Sequence, residues 1–74
     1  MTVGIDANEA NVTSRVGISE YAYQILIKLY EFRKDGTTNH TFVIYLKSKP
    51  LDSLPQEEEW WRYKVVAPKK IFFI

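Results

Sequence analysis

The loop before the longest predicted helix carries the residues best suited to bind a ligand, Arg15-Val16-Gly17-Ile18-Ser19. Amides at the start of a helix have no partner within it, so those of Val16, Gly17 and Ile18 are positioned to face an anion. Gly17 lets a ligand approach the backbone closely, and Arg15 adds a mobile positive charge. The pattern indicates contact with a phosphate or a sugar hydroxyl. The alternative is a strand-to-helix loop whose glycine only forms a turn, because one glycine is a weak signal.

The remaining polar residues indicate less specific roles. Asp6 ends a predicted strand, where it either accepts a hydrogen bond from a sugar or caps the following loop, the commoner role of aspartate. Glu57–Glu59 are consecutive, so in a helix they diverge in direction and cannot flank one glycosidic bond. His40 has no Ser, Cys or Asp constellation tied to it and is interpreted as a loop residue. No catalytic residue is assigned.

The composition excludes several kinds of site and partner. The chain has no cysteine and one histidine, which excludes disulfides, thiolate zinc sites and a multi-histidine metal site within this sequence. Neither the dinucleotide fingerprint nor the phosphate-loop motif occurs, and no cofactor is expected. Ten basic and nine acidic residues give a net charge of +1, too little for a nucleic-acid surface. Apolar runs are too short to cross a bilayer and no signal peptide precedes them, which favours a cytoplasmic location.

The strands and loops that must position the candidate residues follow from local pattern. Three strands are predicted: Thr2–Ala7, Thr41–Leu46 and Tyr63–Ala67. The second is a continuous apolar run, which predicts a strand covered on both faces. Glu9–Gly17 is predicted as a loop, rich in turn-forming residues. Pro55 is expected to open a short helix with Glu57–Glu59 in its first turn.

A helix over Ile18–Lys34 is the strongest prediction. Apolar residues recur every three or four positions on one face: Ile18, Tyr21, Ala22, Ile25, Leu26, Leu29 and Phe32. This spacing is typical of a helix that packs one side on a sheet. Ser19, or Ser14 if the helix begins earlier, is expected to cap the first turn. Gly36 is expected to end the helix in a left-handed conformation.

The order of the elements predicts an α/β fold, a partial Rossmann-like β-α-β-β unit with parallel strands. The first strand of such a sheet is central, with later strands on its other side. Those later strands are absent from residues 1–74, which are therefore expected to form a single partial domain with an incomplete sheet. An open strand edge invites pairing with another chain. A homo-oligomer is expected to use this edge together with Trp60, Trp61, Phe72 and Phe73.

Three stretches carry a resemblance to a known family: Val3-Gly4-Ile5-Asp6-Ala7, Gly17-Ile18-Ser19-Glu20-Tyr21 and Phe42-Val43-Ile44-Tyr45. Together they resemble the N-terminus of group 1 (family four) glycosyltransferases, mannosyltransferase-like members in particular. Those proteins begin with a Gly-Ile-Asp-Ala strand and continue with a Gly-Ile-Gly-x-Tyr helix start. The resemblance covers essentially the whole chain, with its sharp motifs in the first half.

The resemblance implies the N-terminal, acceptor-side part of an enzyme with the GT-B fold, two Rossmann-like domains that face each other across a cleft. The family transfers a sugar from a nucleotide-sugar donor to an acceptor hydroxyl with retention of configuration. Its first glycine-containing loop also reaches the donor phosphates, and this loop corresponds to residues 13–19 here, with Gly17 the matching glycine. Asp6 matches the strand-end acidic residue, to which we assign a structural role.

The chain departs from the family pattern in two ways. Ser19 stands where many members have a second glycine, which makes the loop less permissive. The second domain, with the donor site, the basic residues that stabilise the leaving diphosphate and the paired glutamates, lies outside the 74 residues. The resemblance thus implies a fragment that is inactive alone and whose partners are the missing C-terminal domain, the nucleotide-sugar and the acceptor. The full-length protein would be cytoplasmic or peripheral to a membrane. The alternative is a small standalone interaction module that folds as an oligomer and has no catalytic activity.

Overall fold

A computed structural model describes residues 1–66 of the chain. The elements are β1 (Thr2–Asp6), α1 (Ile18–Lys34), β2 (Thr41–Leu46) and β3 (Trp61–Val65). The strands form one parallel sheet in the order β1-β2-β3. The predicted α/β class and parallel pairing are confirmed, and the arrangement is consistent with a partial Rossmann-like unit. Within the described residues, β1 is an edge strand, as predicted.

Helix α1 covers one face of this sheet. Phe42, Ile44 and Leu46 of β2 point to that face and are buried. On the other face Val43 is half-buried and Tyr45 is exposed. The prediction that β2 is covered on both faces is therefore wrong for residues 1–66. The ring of Tyr45 instead lies over Gly4, where an added methyl group would come within 3.1 Å of Tyr45 Cε2.

The bounds predicted for α1 are confirmed, but the predicted apolar face is only partly buried. Leu26 is fully buried, and Ala22 and Leu29 pack against the core beside it. Four members of the predicted face remain exposed: Ile18, Tyr21, Ile25 and Phe32. Tyr23 and Tyr30, which the sequence pattern left out, contact the core instead.

No helix in residues 1–66 is both long and apolar enough to cross a membrane.

The two ends of α1 differ in how they are capped. At the C-terminus Gly36 has φ 88°, the Gly36 amide donates to Arg33 O and the Thr37 amide donates to Phe32 O. This pair of bonds is the Schellman motif, so the predicted glycine cap is confirmed. At the N-terminus Gly17 is the capping residue and no side chain caps the first turn. The prediction of a Ser19 or Ser14 cap is wrong, because a backbone turn at Gly17 takes that place.

The short helix predicted from Pro55 does not form. Glu58 and Trp61 exchange both backbone hydrogen bonds, at 2.9 and 3.1 Å, which closes a tight antiparallel turn. The Glu57 carboxylate accepts the Tyr63 amide at 3.0 Å. The glutamates therefore bind the outer edge of β3 instead of starting a helix. The same turn moves the start of β3 two residues ahead of the predicted Tyr63, and the predicted end at Ala67 lies outside the described residues.

An aromatic cluster fills the core beside β3. Trp61 and Ile44 are both 0% exposed, and the Trp61 ring packs edge-on against Tyr30 with centroids 5.1 Å apart. Trp61 Nε1 donates to Tyr63 Oη at 3.0 Å, and Tyr63 Oη donates to Pro55 O at 2.5 Å. The prediction that Trp61 lines an oligomer interface is therefore wrong, because its ring is fully buried in the core. Phe72 and Phe73 lie outside the described residues.

We expect Tyr63→Phe to lower the free energy of unfolding by about 1–3 kcal/mol, because it leaves Trp61 Nε1 without its acceptor and Pro55 O without its donor. Urea unfolding followed by circular dichroism measures the loss. Tyr45→Phe is the matched control, because the Tyr45 hydroxyl makes no hydrogen bond within residues 1–66 and its removal should cost less than about 0.5 kcal/mol. Equal losses for the two variants would contradict the role assigned to the Tyr63 hydroxyl.

Stability should also fall at high pH. Burial raises the pKa of Tyr63 to about 12, above its ordinary value of 10.0, and also raises the pKa of Tyr30, whose hydroxyl faces Glu58. Between pH 10 and pH 12 the unfolded chain loses the Tyr63 proton while the folded chain keeps it. The burial of neutral Tyr63 therefore stabilises the fold fully below pH 10 and progressively less as the pH rises towards 12. Urea unfolding at a series of alkaline pH values should show this decline, and Tyr63→Phe should make it shallower. An unchanged slope in the variant would contradict the assignment.

Candidate functional site

The candidate site lies where β1 and β2 end. Parallel strands bring their carboxyl ends to the same edge of a sheet, and ligands of open α/β sheets bind there. The loop after β1, residues 7–17, meets the loop after β2, residues 47–60, at this edge. Ala7 and Ala10 are buried in the core, which fixes the first part of the β1 loop beneath α1.

Asp6 closes a local turn at the end of β1. Its Oδ1 accepts the Asn8 amide at 3.1 Å and the Asn8 side-chain Nδ2 at 3.0 Å. This is an Asx-type turn, in which a carboxylate satisfies backbone two residues further on. Of the two roles considered for Asp6, the structure places it in the loop-capping geometry.

Two asparagines join the loops that follow β1 and β2. Asn8 Oδ1 accepts the Lys47 amide at 2.7 Å, and Asn11 Oδ1 accepts the Leu51 amide at 2.8 Å. Asn11 Nδ2 also donates to Lys49 O at 3.1 Å. An asparagine side chain both donates and accepts hydrogen bonds. Each of the two can therefore bond backbone groups that lie beyond the end of β2 and have no neighbouring strand. The sequence alone does not indicate these bonds, because no local pattern reveals partners some forty residues away.

Arg15 is fixed in place, which corrects the prediction of a mobile charge. Its guanidinium donates to Ala10 O at 3.0 and 3.3 Å and to Ser53 Oγ at 2.8 Å. The same group stacks over the Tyr23 ring, 3.8 Å from its centre, and Tyr23 Oη donates to Ser53 O at 3.1 Å. Stacking and three hydrogen bonds hold the guanidinium. Arg15 therefore connects α1 with both loops of the site.

Gly17 forms the turn from which α1 begins. Its φ of 56° and ψ of −120° match the first central position of a type II′ turn, and the Ser19 amide donates to Val16 O across that turn at 3.2 Å. A Cβ at Gly17 would meet nothing within 4 Å, so the backbone conformation alone requires glycine. Within residues 1–66 the amides of Val16, Gly17 and Ile18 donate to no other group. The structure thus brings together the amides that the sequence analysis selected.

A cleft of about 230 Å³ opens beside this turn, between β1 and α1. Its walls are apolar except for Asp6, and they are formed by Ile5, Asp6, Ala7, Ala10, Ile18, Tyr21, Ala22, Ile25, Leu26 and Leu29. The cleft supplies no cation, so an anion bound at the turn depends on backbone amides. A larger hollow of about 490 Å³ lies at the opposite edge of the sheet, beside β3 and residues 50–57.

The other candidate residues are placed away from the Gly17 turn. His40 precedes β2 at the amino end of the sheet, where its carbonyl accepts Arg33 Nε at 2.8 Å. Glu57 and Glu58 bind Tyr63 and Tyr30 on the β3 side. No three His, Cys, Asp or Glu side chains in residues 1–66 are grouped so as to hold a metal ion.

Replacing Asn11 should loosen the junction between the two loops. We expect Asn11→Ala to lower the free energy of unfolding by about 1–3 kcal/mol, because the Leu51 amide loses its acceptor. Hydrogen exchange should show faster exchange at Leu51 in the variant. Asn39→Ala is the matched control, because the Asn39 side chain is exposed and bonds to nothing in residues 1–66. Unchanged Leu51 protection in Asn11→Ala would show that the junction does not depend on this side chain.

Comparisons with protein families, curated proteins and solved structures found no match to this chain. The resemblance given under Sequence analysis therefore rests on residue patterns alone.

Proposed function

We propose that this chain is the N-terminal, acceptor-side part of a retaining glycosyltransferase of GT-B type, and that its Gly17 turn contacts the donor diphosphate. The observation that carries the proposal is the type II′ turn at Gly17, with three amides that donate to no group in residues 1–66. Such amides at the start of a helix are suited to a phosphate oxygen. The sequence resemblance gives the same loop the same role.

The position of the turn supports this proposal. It lies at the carboxyl edge of a parallel sheet beside β1, where ligands of doubly wound folds bind at the change of strand order. The sheet order β1-β2-β3 leaves the far side of β1 free for further strands. The turn is also held firmly, because Arg15 fixes the residues just before it to Ala10 and Ser53. A rigid turn presents its amides without a cost in ordering them.

The role proposed for this chain is binding, and the chemistry of transfer is assigned to the rest of the enzyme. Retaining transfer from a nucleotide-sugar depends on charges that stabilise the leaving diphosphate. Arg15, the nearest cation in the sequence, is already bound to Ala10 and Ser53, and the one charged residue of the cleft is Asp6. The proposed role is therefore half of a site, completed by residues beyond these 74, and the chain alone is expected to be inactive.

The proposal predicts a localised response to a nucleoside diphosphate. In a ¹H–¹⁵N NMR titration at low salt, the amide signals of residues 16–19 should shift as guanosine or uridine diphosphate is added. Inorganic phosphate should shift the same amides, because the contact is to the phosphate groups.

Two glycine variants serve as a matched pair for this titration. Gly17→Ala strains a left-handed residue at the turn and should abolish the response, because the amides change direction. Gly36→Ala introduces the same kind of strain at the other end of α1 (φ 88°) and should keep it. A flat titration of the unmodified chain, or shifts confined to Lys47 and Lys49, would refute the contact at Gly17.

A further inference from the structure

The outer edge of β1 offers unpaired backbone groups. The Ala7 amide donates to Tyr45 O at 3.1 Å and the Thr41 amide to Met1 O at 3.0 Å, so the odd-numbered residues of β1 face β2. The amides and carbonyls of Thr2, Gly4 and Asp6 therefore face outward. They bond to nothing in the part of the chain that the structure describes.

The opposite edge of the sheet is protected where β3 begins. Trp61 exchanges both of its outward backbone bonds with Glu58, and the outward amide of Tyr63 donates to the Glu57 carboxylate. Folded proteins protect their sheet edges in this way because an open edge recruits other strands. The contrast within one small sheet indicates that the β1 edge is the one that pairs.

An exposed apolar stripe on α1 lies beside that open edge. The stripe consists of Ile18, Tyr21, Ile25 and Phe32, which are 73%, 70%, 43% and 46% exposed. Three of these side chains line the cleft together with Ile5 of β1, so the stripe and the edge are continuous. The apolar face of α1 is thus wider than the sheet beneath it.

We propose that two copies of this chain pair through β1, antiparallel, about a two-fold axis that passes beside Gly4. In this register Gly4 lies opposite Gly4 of the second copy, and Thr2 lies opposite Asp6. Residues opposite each other then exchange both backbone bonds, so every outward-facing amide and carbonyl of β1 gains a partner. Val3 and Ile5 face each other between those pairs, on the side of α1, where cross-strand apolar contacts stabilise a sheet.

The surface is self-complementary, which is what an isologous dimer requires. No charged residue of β1 meets its own copy, because Asp6 lies across from Thr2. A two-fold axis normal to the sheet keeps both copies of α1 on one face, and the two stripes then lie side by side. Three residues of the stripe lie on the side of α1 nearest β1, so a shared sheet directs the two stripes towards each other across the axis.

The four stripe residues offer on the order of 500 Å² per copy, the small end of specific interfaces, so we expect a micromolar dissociation constant. The pairing uses the β1 edge and the stripe, not the amides of the Gly17 turn. Its failure would leave the proposed diphosphate contact intact. The pairing is a property of the 74-residue chain, since further strands of a longer protein would take the same edge.

Analytical ultracentrifugation of the full 74-residue chain tests the pairing, with a concentration-dependent dimer as the expected result. Tyr21→Lys should weaken the dimer by about tenfold or more, because it brings like charges together across the axis. Gln24→Lys adds the same charge to α1 outside the stripe and should leave the dimer unchanged. A chain that stays monomeric to millimolar concentration, or equal effects of the two variants, would overturn the proposal.

Disulfide cross-linking tests the register, since the chain has no cysteine of its own. Oxidation of a mixture of Thr2→Cys and Asp6→Cys chains should join one of each, because the register places these positions opposite each other. Neither variant should cross-link with itself, because Thr2 and its own copy are farther apart than a disulfide spans. Cross-links between like variants, or none in the mixture, would overturn the antiparallel register.

Discussion

The structure depends on a single constraint, the parallel pairing of β1 with β2. A parallel neighbour cannot be reached through a tight turn, so the chain must return across the sheet, and α1 makes that return. The same constraint places the ends of both strands at one edge, where the loops that follow them meet. Asn8 and Asn11 join these two loops by accepting hydrogen bonds from backbone amides that follow β2. The Gly17 turn is held by the far end of the same loop, through Arg15.

Stabilising contacts are distributed unevenly across the sheet. The aromatic cluster around Trp61 and the glutamates of residues 57–58 cover the start of β3 and its outer edge. Towards β1 the core thins to alanines, and the outer side of α1 remains exposed. Burial and edge protection therefore both indicate that an additional strand would pair with β1. Both proposals concern this side of the sheet. The diphosphate contact uses the amides of the Gly17 turn, and the dimer uses the outer edge of β1.

Local pattern predicted the elements well and the contacts between them poorly. The bounds of α1 and β2 and the glycine cap at Gly36 follow from periodicity and backbone preference, which are properties of neighbouring residues. The short helix from Pro55 failed because Glu57 and Glu58 are held by β3 and α1, partners that no local pattern reveals. The apolar face of α1 was predicted from its spacing, but which half is buried depends on how many strands lie beneath it.

The candidate site shows the same division. The sequence analysis selected Gly17 and the amides around it because a glycine before an amphipathic helix forms either a turn or a ligand contact. It described Arg15 as mobile, since the partners Ala10 and Ser53 become neighbours only after folding. The linkage of the two loops by Asn8 and Asn11 was missed for the same reason.

The anchoring of the first loop has an evolutionary consequence. Asn11 fixes the loop at one point and Arg15 fixes it again, leaving Val12, Thr13 and Ser14 as a short span between two anchors. Thr13 and Ser14 are exposed. Substitutions or small insertions in this span would leave both anchors and the sheet undisturbed. Descendants of this sequence could therefore vary three residues close to the Gly17 turn without having to re-optimise the fold.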